Sequence, residues 1–173
     1  METYMIILRV LHIFAGVLWA GWAFAMVGFI EPASRAAGPE GGKFMQTLIG
    51  RTRLLPTMMV APVVVILTGL LMYWPVSGGL NGRWIVSGAG LALTIKSLAG
   101  ILAFVSALVI VRPAAERLAA LSKEMQSAGK PPSPQQLAEL SVLGERISKG
   151  GLYAAILLAV TLFGTAVARF LWF

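Results

Sequence analysis

Apolar positions gather into four long runs, Met5 to Ile30, Leu54 to Trp74, Ile85 to Val111 and Gly151 to Trp172, parted by stretches rich in glycine, proline and charge. Each run is long enough to cross roughly 30 Å of hydrocarbon as a helix. A span in lipid must satisfy its own backbone, which leaves an isolated one no form but the helix. The pattern therefore predicts an all-α fold, an integral membrane bundle of four transmembrane helices built as a single domain over residues 1–173. The first run is too long for a signal peptide, lacks a basic n-region and ends in "FIEPASRAA", a weak cleavage signal, so it is read as a retained helix.

The segments between the runs carry their own patterns. "EPASRAAGPEGGKFMQTLIGRTR" opens with helix breakers, then sets Phe44, Met45, Leu48 and Ile49 at helical spacing, which predicts a short interfacial helix leading into the second span. Pro56 falls in the first turn of that span, whereas Pro62 lies deeper and is expected to kink the helix or open its hydrogen-bond ladder. The third span is expected to run on through "PAAERLAALSKEMQSAG", with Leu118, Leu121 and Met125 on one side, until Gly129 and "KPPSP" stop it. Ser133, Pro134 and Gln136 then form an N-cap, N1 proline and capping box for a returning helix that carries Leu137, Leu140 and Ile147. The two stems form a helical hairpin between spans three and four. No internal repeat is expected.

Composition changes the picture in three ways. Of 173 residues, 58% are hydrophobic and only 12% charged, about half the charged share of a soluble domain. The absence of cysteine excludes disulfides, thiolate metal sites and CxxC redox chemistry. The net charge of +7 sits in loops rather than in a nucleic-acid-binding stripe. Loop one holds Arg35, Lys43, Arg51 and Arg53, and loop three holds Arg112, Arg117, Lys123, Lys130, Arg146 and Lys149, while loop two holds only Arg83. The positive-inside rule then makes loops one and three cytoplasmic, hairpin extension included, and sets both termini and loop two on the outer face of a bacterial inner membrane. Tyr4, Tyr73, Trp74, Trp84, Trp172 and Phe173 fall together at the outer interface, the depth at which amphipathic rings collect.

Within the spans, ionisable residues are the candidate chemistry. His12, the one histidine, and Lys96 lie at comparable depth in the outer half, Lys96 roughly 15 Å from its helix end. Arg9 stands one turn above His12, Arg169 near the outer end of span four, and Thr68, Thr94, Thr161 and Thr165 add hydroxyls. Small residues (Gly16, Ala20 and Ala23; Gly100, Ala103 and Ala107; Ala155, Ala159 and Gly164) mark faces that pack closely, so His12 and Lys96 are expected to point into the bundle. The outcome is an outer-leaflet cationic pocket. Haem b would use His12 on iron and Arg9, Arg83 or Arg169 on its propionates, with Lys96, a methionine or His12 of a second copy opposite. A quinone headgroup would accept hydrogen bonds from His12 and Lys96, and copper would draw on His12, Met5 and Met72. The competing reading makes these residues packing and anchoring groups of a non-catalytic accessory subunit or a small-solute or ion-handling protein. The partners expected are the lipid bilayer and either a homo-oligomer or a larger membrane complex.

"LHIFAGVLWAGWAF", "LLPTMMVAPVVVILTGLLMYW" and "LTIKSLAGILAF" together resemble the copper-resistance-D-like membrane domains, their relatives of unknown function and the haem-containing, oxygen-independent protoporphyrinogen oxidases. The resemblance implies a four-helix membrane fold and carries over His12, Trp19, Gly21 and Lys96 as its site positions. It implies haem from one branch and copper handling from another. After span one the oxidases share a Leu-Pro-Arg-Leu-Phe run and bring further histidines; here that place reads "GFIEPASRAA" and there is no other histidine. The resemblance thus points to the poorly characterised branch.

Overall fold

The computed structural model describes residues 2–129, 131–168 and 170–171, and these are helical with short connections. In chain order the helices are α1 (Glu2–Ala25), α2 (Glu31–Ala36), α3 (Pro39–Arg51), α4 (Leu54–Val76), α5 (Gly82–Ile85), α6 (Gly88–Ser106), α7 (Arg112–Ala128) and α8 (Pro134–Ala168). Among them are four continuous helical stretches long and apolar enough to cross a membrane: Glu2–Ala36, Leu54–Val76, Gly88–Ala128 and Pro134–Ala168. Arg169, Trp172, Phe173 and Lys130 lie outside the described residues.

Two five-residue π-helical turns, Met26–Ile30 and Ala107–Val111, join α1 to α2 and α6 to α7. Each precedes a proline by two positions, in "IEPA" and "VRPA". Proline has no N–H and its ring crowds the carbonyl four residues back. In both places the residue before the proline reaches one position further, Glu31 N–H to the Met26 carbonyl and Arg112 N–H to the Ala107 carbonyl. The widened turn lets the helix pass the ring without breaking. Although no internal repeat is expected from the sequence, the structure repeats this local device in the first and third spans.

Packing arranges the long helices around a square. α1 lies against α4 and α8, and α6 lies against α8 and α4, so α1 and α6 stand diagonally opposite. The core at the centre is made of small residues with few large ones: Ala15, Ala20, Ala61, Ala103 and Ala154, with Trp19 and Leu158. Small side chains let helices approach closely where lipid offers no hydrophobic gain. Pro62 is buried within α4, which continues unbroken through it. The third span starts three residues later than the hydropathy suggests. Ser87 caps α6 by accepting from Gly90 N–H at 3.2 Å. Ile85 belongs to α5, Val86 and Ser87 turn between α5 and α6, and Gly90 backs so closely onto the Trp84 carbonyl that a Cβ there would sit 1.8 Å away. We call this the loop end of the bundle and the opposite one the stem end.

At the stem end α7 and the first half of α8 form the expected hairpin. Ala114, Leu121 and Leu143 are its buried core, with Leu118, Met125, Leu140 and Ile147 around them. Leu137, expected on that face, is exposed, while Leu143 is buried against Ala114 and Leu121. Gly129 stops α7 with φ 58°. The capping box forms both ways, Ser133 N–H to Gln136 Oε1 at 2.9 Å and Gln136 N–H to Ser133 Oγ at 3.2 Å.

Candidate functional site

α1 presents Leu8, His12, Ala15 and Trp19 at steps of four, three and four, a single stripe directed into the bundle; Leu8, Ala15 and Trp19 are buried and His12 half-buried. The stripe explains one departure from expectation. Arg9 is one position off it and lies exposed in a surface hollow with Glu2, Met5 and Ile6. It therefore does not join His12, and the hollow it lines also holds Glu2, two turns nearer the helix start. Ala159 and Thr165 on α8 are likewise turned outward, by the same helical arithmetic, while Ala154, Ala155 and Leu158 are buried.

His12 meets α4. Its Nδ1 is 3.0 Å from Thr68 Oγ1, and the Thr68 hydroxyl is already committed to the Val64 carbonyl at 2.6 Å. With the hydroxyl proton occupied, Thr68 offers lone pairs, and His12 Nδ1–H is the donor. This assigns the tautomer by the network and leaves the Nε2 lone pair without a partner among the described residues. The ring lies over Gly69, where a Cβ would come within 3.1 Å of His12 Cε1.

Lys96 comes from the diagonal helix α6. Its backbone carbonyl accepts from Thr161 Oγ1 on α8 at 3.1 Å, and its Cβ lies 2.8 Å from where a Cβ on Gly164 would stand. The close fit against Gly164 seats the lysine stem between α6 and α8. Lys96 is half-buried, interacts electrostatically with His12, and its Nζ has no partner among the described residues. All four spans thus contribute to one layer: α1 His12, α4 Thr68 and Gly69, α6 Lys96, α8 Thr161 and Gly164.

Aromatic contacts bound this layer. Towards the stem end Trp19 meets Phe104 edge-on across the same diagonal, ring centroids 6.5 Å apart. Trp19 is seven residues beyond His12 and Phe104 eight beyond Lys96, so the floor lies about 10–12 Å below. Towards the loop end Tyr73 OH is 2.6 Å from Thr94 Oγ1, and Trp84 packs edge-on against Tyr73 at 5.6 Å. Thr94 donates to the Gly90 carbonyl at 2.7 Å, so Tyr73 is the donor of the pair. Sequence reasoning placed Tyr73 and Trp84 only as interfacial rings; the α5 turn, which brings Trp84 back over α4, has no periodicity to announce it. Phe104 was also missed, because an aromatic in an apolar run reads as lipid-facing until its partner is known.

The chain matches no protein-family model, no curated protein and no solved structure.

The chemistry open to the site follows from its two unpartnered groups. Nε2 can accept a hydrogen bond or coordinate a metal, with Thr68 orienting the ring as outer-shell partners do. The lysine ammonium can donate. For a haem, His12 would offer a ligand to the iron, but Arg9 lies exposed and off the inward stripe, and Arg83 is exposed on α5, its backbone N–H donating to the N-cap Asn81 Oδ1 at 3.0 Å. For copper, the described residues hold no group of three His, Cys, Asp or Glu.

Proposed function

We propose that this is a multi-pass protein of the bacterial inner membrane, with both termini and the loop end outside and the α7–α8 stem in the cytoplasm. Its functional centre is the His12–Lys96 layer, which holds a quinone headgroup for electron transfer. The observation that carries the reading is a pair of half-buried groups on diagonal helices, one acceptor (His12 Nε2) and one donor (Lys96 Nζ), with no hydrogen-bond partner among the described residues; the fully buried side-chain atom that lacks a partner, Ser106 Oγ, lies ten residues beyond Lys96 on α6. An unpartnered polar group in an apolar bundle is costly. A quinol hydroxyl satisfies both, accepting from Lys96 Nζ and donating to His12 Nε2, whereas the carbonyl of the oxidised quinone is held by Lys96 Nζ alone. Haem b is disfavoured by the outward position of Arg9, and copper by the sparse ligand set. The resemblance to the uncharacterised relatives of copper-resistance-D-like domains supports the membrane placement and the choice of His12, Trp19 and Lys96.

A second reading, a non-catalytic accessory subunit in a homo-oligomer or larger complex, is favoured by one observation. The hydroxyls of Thr68, Thr94, Ser97 and Thr161 all bond within the bundle, as packing residues do. Purification from quinone-replete membranes, followed by solvent extraction and an absorption spectrum, separates the readings. The first expects protein-bound quinol that is lost in His12→Phe and Lys96→Met. A Soret band lost with His12 would replace quinone by haem. Ligand-free protein in which both variants merely lower the melting temperature would leave the accessory role.

A further inference from the structure

At the stem end, α1 and the start of α4 line an open hollow of about 400 Å³, with Leu18, Gly21, Trp22, Leu54, Thr57 and Met58 among its lining residues. The hollow is apolar apart from Thr57, whose hydroxyl bonds back to the Arg53 carbonyl at 2.7 Å, and Trp22, whose ring suits a membrane boundary. The "RTR" segment that joins α3 to α4 directly precedes the lining residue Leu54. The basic residues around that end differ in one respect. Arg35, Lys43, Arg112, Arg117 and Lys149 are each paired with a glutamate. Arg51 and Arg53, like Lys123 and Arg146 on the stem, are exposed and have no ion pair among the described residues, and of these four Arg53 is the one next to the lining residue Leu54. Behind Arg51 and Arg53 starts a 23-residue helix, whose Leu54 N–H is taken by Thr52 Oγ1 at 3.2 Å and whose positive end adds to their field.

We propose that this groove binds one anionic phospholipid, an acyl chain lying along Leu18, Gly21, Trp22 and Met58 and the phosphate held by Arg51 and Arg53. The placement rests on the membrane orientation proposed above and is independent of what occupies the His12–Lys96 layer. Charge complementarity selects the occupant: an apolar hollow adjoins in sequence two arginines without an ion pair among the described residues, a combination that a neutral lipid leaves half unused. Guanidinium groups suit phosphate by their forked geometry.

Gly21 supplies the test. A Cβ at this lining position meets nothing within 4 Å, so a phenylalanine enters the trough without displacing protein. The protein is reconstituted in nanodiscs of dioleoylphosphatidylcholine doped with dioleoylphosphatidylglycerol, and lipid retained after ejection is read by native mass spectrometry. The wild-type chain is expected to retain the glycerol lipid selectively. Each arginine lost in Arg51→Gln and Arg53→Gln should reduce that selectivity about fivefold, and Gly21→Phe should reduce retention of both lipids. Equal retention of the two lipids by the wild-type chain would overturn the proposal, as would undiminished retention by Gly21→Phe. Failure to enter nanodiscs at all would instead overturn the membrane reading. The arginine variants, exposed and unpaired, keep the test open should Gly21→Phe not fold.

Discussion

The bundle and the stem are built from the same kind of helix but held together differently. In the stem, Leu121 and Leu143 are buried at 2% and 7% exposure between helices whose charges face outward in glutamate pairs. In the bundle the most buried side chain at the centre is Ala103, and the contacts that define helix distances involve Gly69, Gly100 and Gly164. The stem follows the logic of a protein in water, large apolar side chains inside and charge outside. The bundle follows the logic of lipid, close backbone approach with hydroxyls bonded to carbonyls. Polar groups therefore mean different things in the two regions. An exposed ion pair in the stem contributes little, whereas a half-buried imidazole and ammonium in the bundle demand a reason.

Mutations at the centre of each region should separate these two logics. Leu121→Ala should have the largest effect, about 2–5 kcal/mol for a buried leucine, but the loss should be local. Proteolysis and hydrogen exchange should open α7 while the four spans stay protected; protection lost throughout would mean that the regions are not separate. Gly164→Ala should cost about 1–3 kcal/mol by overpacking, because the new Cβ meets the stem of Lys96 rather than a yielding tip, and it should disturb ligand binding as well as thermal stability. Thr68→Val should cost about 1 kcal/mol and free the imidazole to rotate. Its signature is a loss of quinol affinity larger than the loss of melting temperature, which a purely structural role would not produce.

The smallest effect belongs to the stem surface. The Lys149 ammonium lowers the pKa of Glu145 below its ordinary value, through a 2.7 Å hydrogen bond. A carboxyl with a depressed folded pKa adds stability above its unfolded pKa, and the contribution is lost as pH falls through the folded value. Acid should therefore loosen this turn of α8 only below the usual carboxylate range, and Lys149→Gln should leave melting temperature nearly unchanged at neutral pH. A marked drop would place these charges in the structural core of the account.

Much of this contrast is legible in the sequence. Hydropathy runs mark the four spans because lipid forces helices of a minimum length, and "SPQQ" marks the start of α8 because a capping box is a local device. Periodicity also brings His12 and Lys96 into the bundle. What the sequence does not carry is which neighbour each face meets. Arg9 reads as a companion of His12 until the stripe through Leu8, Ala15 and Trp19 shows it to be one residue off. The π turns show a signal that was present and unread: a proline two residues past each turn, in "IEPA" and "VRPA", reads as an ordinary helix start because a widened turn leaves no mark on hydropathy. The diagonal meeting of Trp19 and Phe104 depends on helix order around the square, which no single segment encodes.

The claim that His12 and Lys96 form one ligand site is tested most directly by titrating decylubiquinol, the reduced form whose hydroxyl can donate to His12 Nε2, anaerobically into the nanodisc-reconstituted protein and into His12→Phe and Lys96→Met, with the melting temperature of each variant measured alongside. The account predicts saturable binding to the wild-type chain, weakened at least tenfold by either substitution, with the double variant little worse than the worse single one, because both groups hold the same oxygen. Binding that survives both substitutions, or losses that simply multiply in the double variant, would contradict it.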